Sequence, residues 1–266
     1  MITEGMVPVL SPKRSDRMRE YEDAWRQTLP PRSYVILRVD GRAFHTLTRG
    51  MERPFDPFFM QAMDAAAIAL CEEVQGVQFA YVQSDEISLL ATDFASNQEQ
   101  WFGGVVQKMC SIAAVVAANA FNVRIPAIAV RRMAQFDARV FEIPHRAEMI
   151  AYFLYRQDDC HRNAVSMAAE ATFSSKQLHG KPVSERLDML AAHGIQFDLA
   201  YPAGARLGRV LTKVPEEALI SYTRKDTGVQ HEEWVTRHRW QAGPAPRFST
   251  MVDGFLDQHI PHREVP

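Results

Sequence analysis

Two apolar runs, VQFAYVQS (77–84) and ISLLAT (87–92), stand almost back to back, with little but Asp85-Glu86 between them. Both are rich in β-branched and aromatic residues, so each reads as a strand. A link that short joins only antiparallel neighbours, because a parallel crossover needs a dozen or more residues. The chain is thereby committed to a sheet built around a central hairpin. A helical pattern flanks it on each side. Upstream, RPFDPFFMQAMDAAAIALCEEV sets Asp56 as the N-cap and Pro57 at the first helical position. Phe59, Met63, Ala66, Leu70 and Val74 then fall on one stripe. Downstream, Trp101, Val105, Met109, Ile112, Val116 and Ala120 repeat that period.

Outside the helices lie YVILRVD (34–40), a strand, and PAIAVRRMAQFDARVFEIP (126–144), which holds one or two more. The order strand, helix, strand, strand, helix, strand is the split β-α-β-β-α-β, ferredoxin-like layout. It implies an α+β fold whose antiparallel sheet carries its helices on one face. Residues 14–26 form a charged helix, and the helical pattern returns from Arg146 to about Leu178. Beyond 181, YPAGARLG and QAGPAPR separate short apolar pieces. This divides the chain into a first, catalytic-candidate domain, 1–181, and a C-terminal extension, 182–266, packed on it.

With 266 residues, 47% of them hydrophobic, the chain can bury a sizeable core. A net charge of −2 excludes an overall basic coat but leaves room for local patches. Cys71, Cys110 and Cys160 are odd in number and far apart, which points to reduced thiols rather than disulfides or a zinc cluster. No basic-then-apolar leader opens the sequence. SIAAVVAANAF (111–121) falls short of the roughly 18 apolar residues of a membrane span and reads as the buried end of a helix. The cytoplasm is the expected location.

The strand order makes YVILRVD a neighbour of the hairpin, so Asp40 and Asp85-Glu86 converge at one edge. Converging carboxylates raise each other's pKa, and a cation relieves the cost. An all-oxygen site suits magnesium, and two such ions roughly 3.5–4 Å apart clamp the oxygens of phosphoryl transfer. Gly41 leaves room for a close backbone approach, and Arg42, His45 and Arg53 offer donors to a triphosphate. Against this stands the plainer reading of solvated turns, since Asp-Gly is itself a turn signal. Asp-Glu, however, is a poor pair for a two-residue hairpin turn.

RVDGRAFHTLT…RPFD followed by YVQSDEISLL resembles the signature of the tRNA-His guanylyltransferase family and its bacterial and archaeal relatives. FDARVFEIP (136–144), YRQDDCHRN (155–163) and, more loosely, YPAGARLGRVL (201–211) continue the resemblance in order. It implies a polymerase-palm-like fold for residues 1–181, and a metal-dependent nucleotidyltransferase that adds nucleotides, GTP favoured, to the 5′ end of tRNA or tRNA-like RNA in the 3′→5′ direction. ATP activates the 5′ end, and two magnesium ions are implied at each site. Asp40, Gly41 and Asp85 would be the metal ligands, with Glu86 an accessory catalytic carboxylate beside Asp40 and Asp85. Asp40, Gly41, Arg42, Ala43, Phe44, His45, Ser84 and Asp85 would bind the nucleotide. Arg53 joins them where relatives often carry lysine.

Candidate RNA contacts are Lys108, which matches a basic family position, Arg131, Arg132, His161, Asn163, Arg206, Arg209 and Lys213. In YRQDDCHRN, Gln157 with His161 and Asp159 with Asn163 form adjoining polar stripes on a helix. Those stripes read equally as a bracing network or a substrate contact. AVSMAAEAT after Asn163 departs from the asparagine- and tyrosine-rich eukaryotic continuation, so strict selection of one tRNA is not implied. The family analogy also points to a homo-oligomer, dimer or tetramer. Two other activities use the same carboxylates: a palm-type nucleotide cyclase or signalling nucleotidyltransferase with no RNA acceptor, and a non-catalytic nucleotide- or RNA-binding module.

Overall fold

The structure is a computed structural model and describes residues 13–95, 97–125, 132–226, 228–250 and 254–263. Helix α1 (Arg14–Asp23) buries none of its residues. The palm repeat then runs β1 (Tyr34–Gly41), one-turn helix α2 (Phe44–Leu47), α3 (Pro57–Glu73), β2 (Val77–Gln83), β3 (Glu86–Thr92), α4 (Val106–Arg124) and β4 (Phe136–Ile143). Helix α3 starts where its cap requires. The Asp56 carboxylate accepts the Phe59 N–H at 2.9 Å, and Pro57 follows, lacking a donor where none is needed.

The strands pair antiparallel in the order β4-β1-β3-β2, the ferredoxin-like arrangement expected from the hairpin. Val35, Leu37 and Val39 of β1 and Ile87 and Leu89 of β3 pack under α3 and α4, with Met63, Leu70, Ala113 and Phe121. The opposite face is covered as well. Tyr34, Ile36, Phe79, Tyr81 and Leu90 lie against Met149 and Phe153 of α5 (Arg146–Thr172). A third helix therefore joins the two of the repeat, and both faces of the sheet are dry. Near-continuous apolar strands such as YVILRV follow from that double cover.

After α5 come the short helices α6 (Ser175–Leu178), α7 (Val183–Ala192), α8 (Phe197–Ala200) and α9 (Ala203–Arg206). The C-terminal part then does more than pack on the first. Strands β5 (Arg209–Thr223) and β6 (Gln230–Pro244) extend the sheet, with Ala80 opposite Leu211 and Val82 opposite Arg209. Beyond Leu211 the two strands pair only with each other, out to Thr223 opposite Gln230. Pro215 is tolerated there because β5 has no partner on its other edge. Helix α10 (Phe255–His259) returns to close the second core through Leu256 and Ile260.

Among the described residues α4 is long and apolar enough, at a mean hydropathy of 1.2, to match a membrane span by length and composition. Its inner stripe of Met109, Ala113, Ala117 and Phe121 is spent on the sheet instead.

Gly208, at the root of β5, has φ +80°, and a Cβ there would lie 2.5 Å from the Tyr81 hydroxyl oxygen. Tyr81 is fully buried and donates to the Leu207 carbonyl at 2.8 Å, so it cannot yield. Gly208→Ala is expected to cost at least about 2 kcal/mol, combining backbone strain with overpacking, as read from urea unfolding.

Candidate active site

The register sets Asp40 directly opposite Glu86, and Gly41 donates its N–H to the Asp85 carbonyl at 2.9 Å. The DGR segment and the hairpin tip are therefore stitched together by main chain. Glu86 is the first residue of β3, opposite Gln83, so the two turn residues are Ser84 and Asp85 rather than Asp85 and Glu86. Ser84 takes φ +45°, a left-handed conformation, and Ala43 across the site takes φ +55°. Both are uncommon for residues with a Cβ and mark a turn held by its surroundings.

The three carboxylates meet different partners. Glu86 accepts from the Arg156 Nε at 2.8 Å and from its Nη2, and also from Gln83 Nε2 and Ser88 Oγ at 3.2 Å. The guanidinium fork saturates a buried carboxylate, so Glu86 is an internal anion and not an accessory ligand facing the cavity. Asp40 Oδ2 lies 3.1 Å from Arg38 Nε and 3.6 Å from Arg139 Nη2, and Arg38 also reaches Glu86 at 3.7 Å. Among the described residues Asp85 has no such cation. Burial pushes its carboxyl above the usual 3.8, and the charges of Asp40 and Glu86 add to the rise. Hydrogen bonds from its own backbone and from Ser84 work the other way without cancelling it.

Asp85 opens onto a cavity of about 460 Å³ that Gly41, Ala43, Phe44, His45, Arg53 and Ser84 also line. Arg42 faces elsewhere, donating to Gln135 Oε1 at 3.1 Å. The want of a side chain at Gly41 answers to the fold itself, since a Cβ there would sit 2.6 Å from the Phe44 ring. That ring is buried against Phe59, Phe121 and Phe136, anchoring the loop to the core.

The remaining wall comes from Pro54, Asp56 and Phe59 around the start of α3 and from residues the sequence did not single out: Thr48, Met51 and Glu52 after α2, and Met167, Glu170 and Ala171 of α5. A helix of 27 residues spans about 40 Å, against roughly 25 Å for strands of seven or eight. Helix α5 therefore overhangs the sheet. Ala164, Val165 and Ala168 in its outer half pack with Leu190 and Phe197, and Met167 and Glu170 wall the cavity.

The candidate RNA contacts scatter. Arg132 lies beside Arg42 and Gln135, next to the loop, and Arg131 falls outside the described residues. Lys108, stacked 4.3 Å over the Phe102 ring, is in the first turn of α4. Phe121, at the site end of that helix, is roughly 20 Å further along its axis, so Lys108 does not reach the groove. Arg209 is buried and paired with Asp64, which makes it structural rather than RNA-facing. Arg206 is tied to Asp198 and the Tyr201 carbonyl. Lys213 sits 5.1 Å over Trp240. His161 stacks edge-on to Phe197, and burial lowers its pKa. Asn163 lies against Asp159 and lines a second, smaller void.

A palm-type sheet thus carries at its hairpin tip an acid with no ion-pair partner among the described residues, facing a cleft of about 460 Å³. The family model for tRNA-His guanylyltransferase matches residues 15–144. A bacterial tRNA-His guanylyltransferase-like protein, solved in complex with ATP, superposes with TM-score 0.79 at 29% identity, over 94% of this chain and 99% of that one. A GTP complex of a bacterial protein of the same description gives 0.72 at 30% identity, over 88% and 93%. The tRNA-His guanylyltransferase of Schizosaccharomyces pombe is 29% identical over 160 residues, 58% of this chain and 59% of that protein. The chain belongs to the tRNA-His guanylyltransferase family. Its matches span 52 to 64% of the length of the leading curated relatives.

Two predictions follow from these electrostatics. The raised Asp85 pKa means that the folded state resists losing this proton. The penalty is absent below the ordinary value near 3.8 and fully present once pH exceeds the raised one. Asp85→Asn should therefore stabilise the metal-free protein at neutral pH, with an advantage in urea midpoint that vanishes towards pH 4. Arg156→Leu should do the opposite. Leaving Glu86 buried and half-paired is expected to cost about 3–5 kcal/mol, and a concurrent Glu86→Gln should restore much of it.

Proposed function

We propose that this chain is a magnesium-dependent nucleotidyltransferase that adds nucleotides, GTP in preference, to the 5′ end of tRNA or tRNA-like RNA. Addition runs in the 3′→5′ direction through a 5′ end activated by ATP. The observation that carries this reading is the cavity at the hairpin tip. Its roughly 460 Å³ suits a nucleotide, and Asp85 and the Gly41–His45 loop bound it. The overlay on ATP- and GTP-bound bacterial relatives, over nearly their whole length, supports the same reading.

Among the described residues no three His, Cys, Asp or Glu side chains form a metal cluster. Magnesium asks for less: one or two carboxylates, completed by water and phosphate oxygens. Asp40 and Asp85 with the Gly41 carbonyl offer that all-oxygen set, and the raised pKa of Asp85 is a cost that a cation offsets. Bound there, magnesium supplies a lowered pKa for the attacking hydroxyl and neutralises charge on the phosphoryl group in transfer.

The chain's own residues do the rest. Arg53 and His45, both exposed at the cavity wall, donate to phosphate oxygens. Arg38 and Arg139 hold the Asp40 carboxylate in place. The rigid turn at Ser84 sets the height of Asp85. Arg42 and Arg132, side by side outside the cavity, are suited to the phosphates of an incoming RNA strand. The cytoplasm fits the three free thiols, and a dimer or tetramer is the assembly that the family suggests.

The test offers 5′-monophosphorylated, 5′-truncated and full-length tRNAs with each NTP and sequences the product ends. Growth at the 5′ end, dependent on magnesium and lost at least about a hundredfold in Asp85→Ala, is the expected result. Conversion of labelled NTP with no RNA present would instead mark a cyclase-type activity. RNA affinity should fall steeply with salt, and a flat response would rule out phosphate contacts by these arginines.

A further inference from the structure

Beside the large cavity, and sharing Phe59, Ser84 and Met167 with it, is an inner void of about 60 Å³. Phe55, Phe59, Met60 and Met167 give it apolar walls, and Gln83 stands at its polar end. Gln83 is only 3% exposed. Its Nε2 donates to Glu86 Oε1 at 3.2 Å. That contact determines which way the amide lies, because the flipped form would set a carbonyl oxygen against a carboxylate. Glu86 cannot turn away, since Arg156 holds both of its oxygens. The Gln83 Oε1 is therefore fixed as an acceptor, and among the described residues it is buried without a hydrogen-bond partner.

A buried acceptor left empty costs free energy that a donor recovers. The void is too small for a nucleotide and wide enough for the rim of a ring whose body lies in the larger cavity. Asp56, Ser84, Asn163 and Arg209 also line the void, and apolar slabs with a few polar groups between them suit the edge of a planar heterocycle. We infer that Gln83 is a specificity-determining residue: its Oε1 accepts a hydrogen bond from an edge N–H of the nucleobase whose phosphates occupy the main cavity. The inference rests on the nucleotide reading of that cavity and adds which bases it favours. Bases with an amino or ring N–H at that edge are held, and a base without one leaves the acceptor unmet.

Equilibrium binding to the full chain tests this, using GTP, ATP, inosine triphosphate, which lacks the 2-amino group, and purine riboside triphosphate, which has no edge N–H. The wild-type chain should bind GTP or ATP about tenfold or more tightly than purine riboside triphosphate, the scale of one buried hydrogen bond. In Gln83→Met that ratio should collapse towards one, with purine riboside triphosphate bound as before. Inosine triphosphate then identifies the donor: parity with GTP means the ring N–H, and parity with purine riboside triphosphate means the amino group. Should Gln83→Met fail to fold, Gln83→Asn gives the same readout, since it keeps an amide but withdraws the carbonyl. A wild type that does not discriminate, or a variant that preserves the ratio, overturns the inference alone. A chain that binds no triphosphate overturns the nucleotide reading with it.

Discussion

Three carboxylates crowd the end of one sheet, and the structure depends on how that like charge is balanced. Register alone forces the crowding, because Asp40 is paired opposite Glu86 and Asp85 stands one step beyond. The fold answers with guanidinium groups in graded supply. Glu86, the most enclosed, receives a full fork from Arg156; Asp40 shares Arg38 and Arg139; Asp85 receives none among the described residues. The repulsion is thus removed where it would damage the core and left standing at the mouth of the cavity. A long helix pinned to the sheet is what makes this possible, since Arg156 lies on α5 and must be delivered to the strand end.

Much of this was legible in the sequence, and the reasons are local. A hairpin with almost no loop admits one pairing, so the strand order and the meeting of Asp40 with Asp85 followed from it. Asp56-Pro57 announced a helix start through cap chemistry that needs no tertiary partner. The turn itself was misplaced by one residue. Periodicity cannot tell Ser-Asp from Asp-Glu as the turn pair when both are polar, and only the pairing of Gln83 with Glu86 decides. Glu86 stood as an accessory catalytic carboxylate because nothing local reveals its partner Arg156, 70 positions away. Arg209 read as surface charge for the same reason, its acid Asp64 being remote in the chain.

Larger features escaped for another cause. The run YVILRV is apolar at every position but one, a pattern that belongs to a strand covered on both faces. It carried the news of α5 before any helix could be placed there. Strands β5 and β6 left no comparable trace, because beyond Leu211 they face solvent on both sides. Trp234, for instance, is 66% exposed although it sits in a regular ladder opposite Leu219. Without a buried face there is no alternation to read.

The overhang of α5 has a mechanical corollary. One uninterrupted rod is seated on the sheet by Met149 and Phe153 and, further along, against Leu190 and Phe197 by Ala164, Val165 and Ala168, while its Met167 and Glu170 form part of the cleft. A stiff rod held in that way carries a shift at the sheet along its length to the cleft wall. The width of the cleft is therefore governed by aromatic packing that never touches its contents.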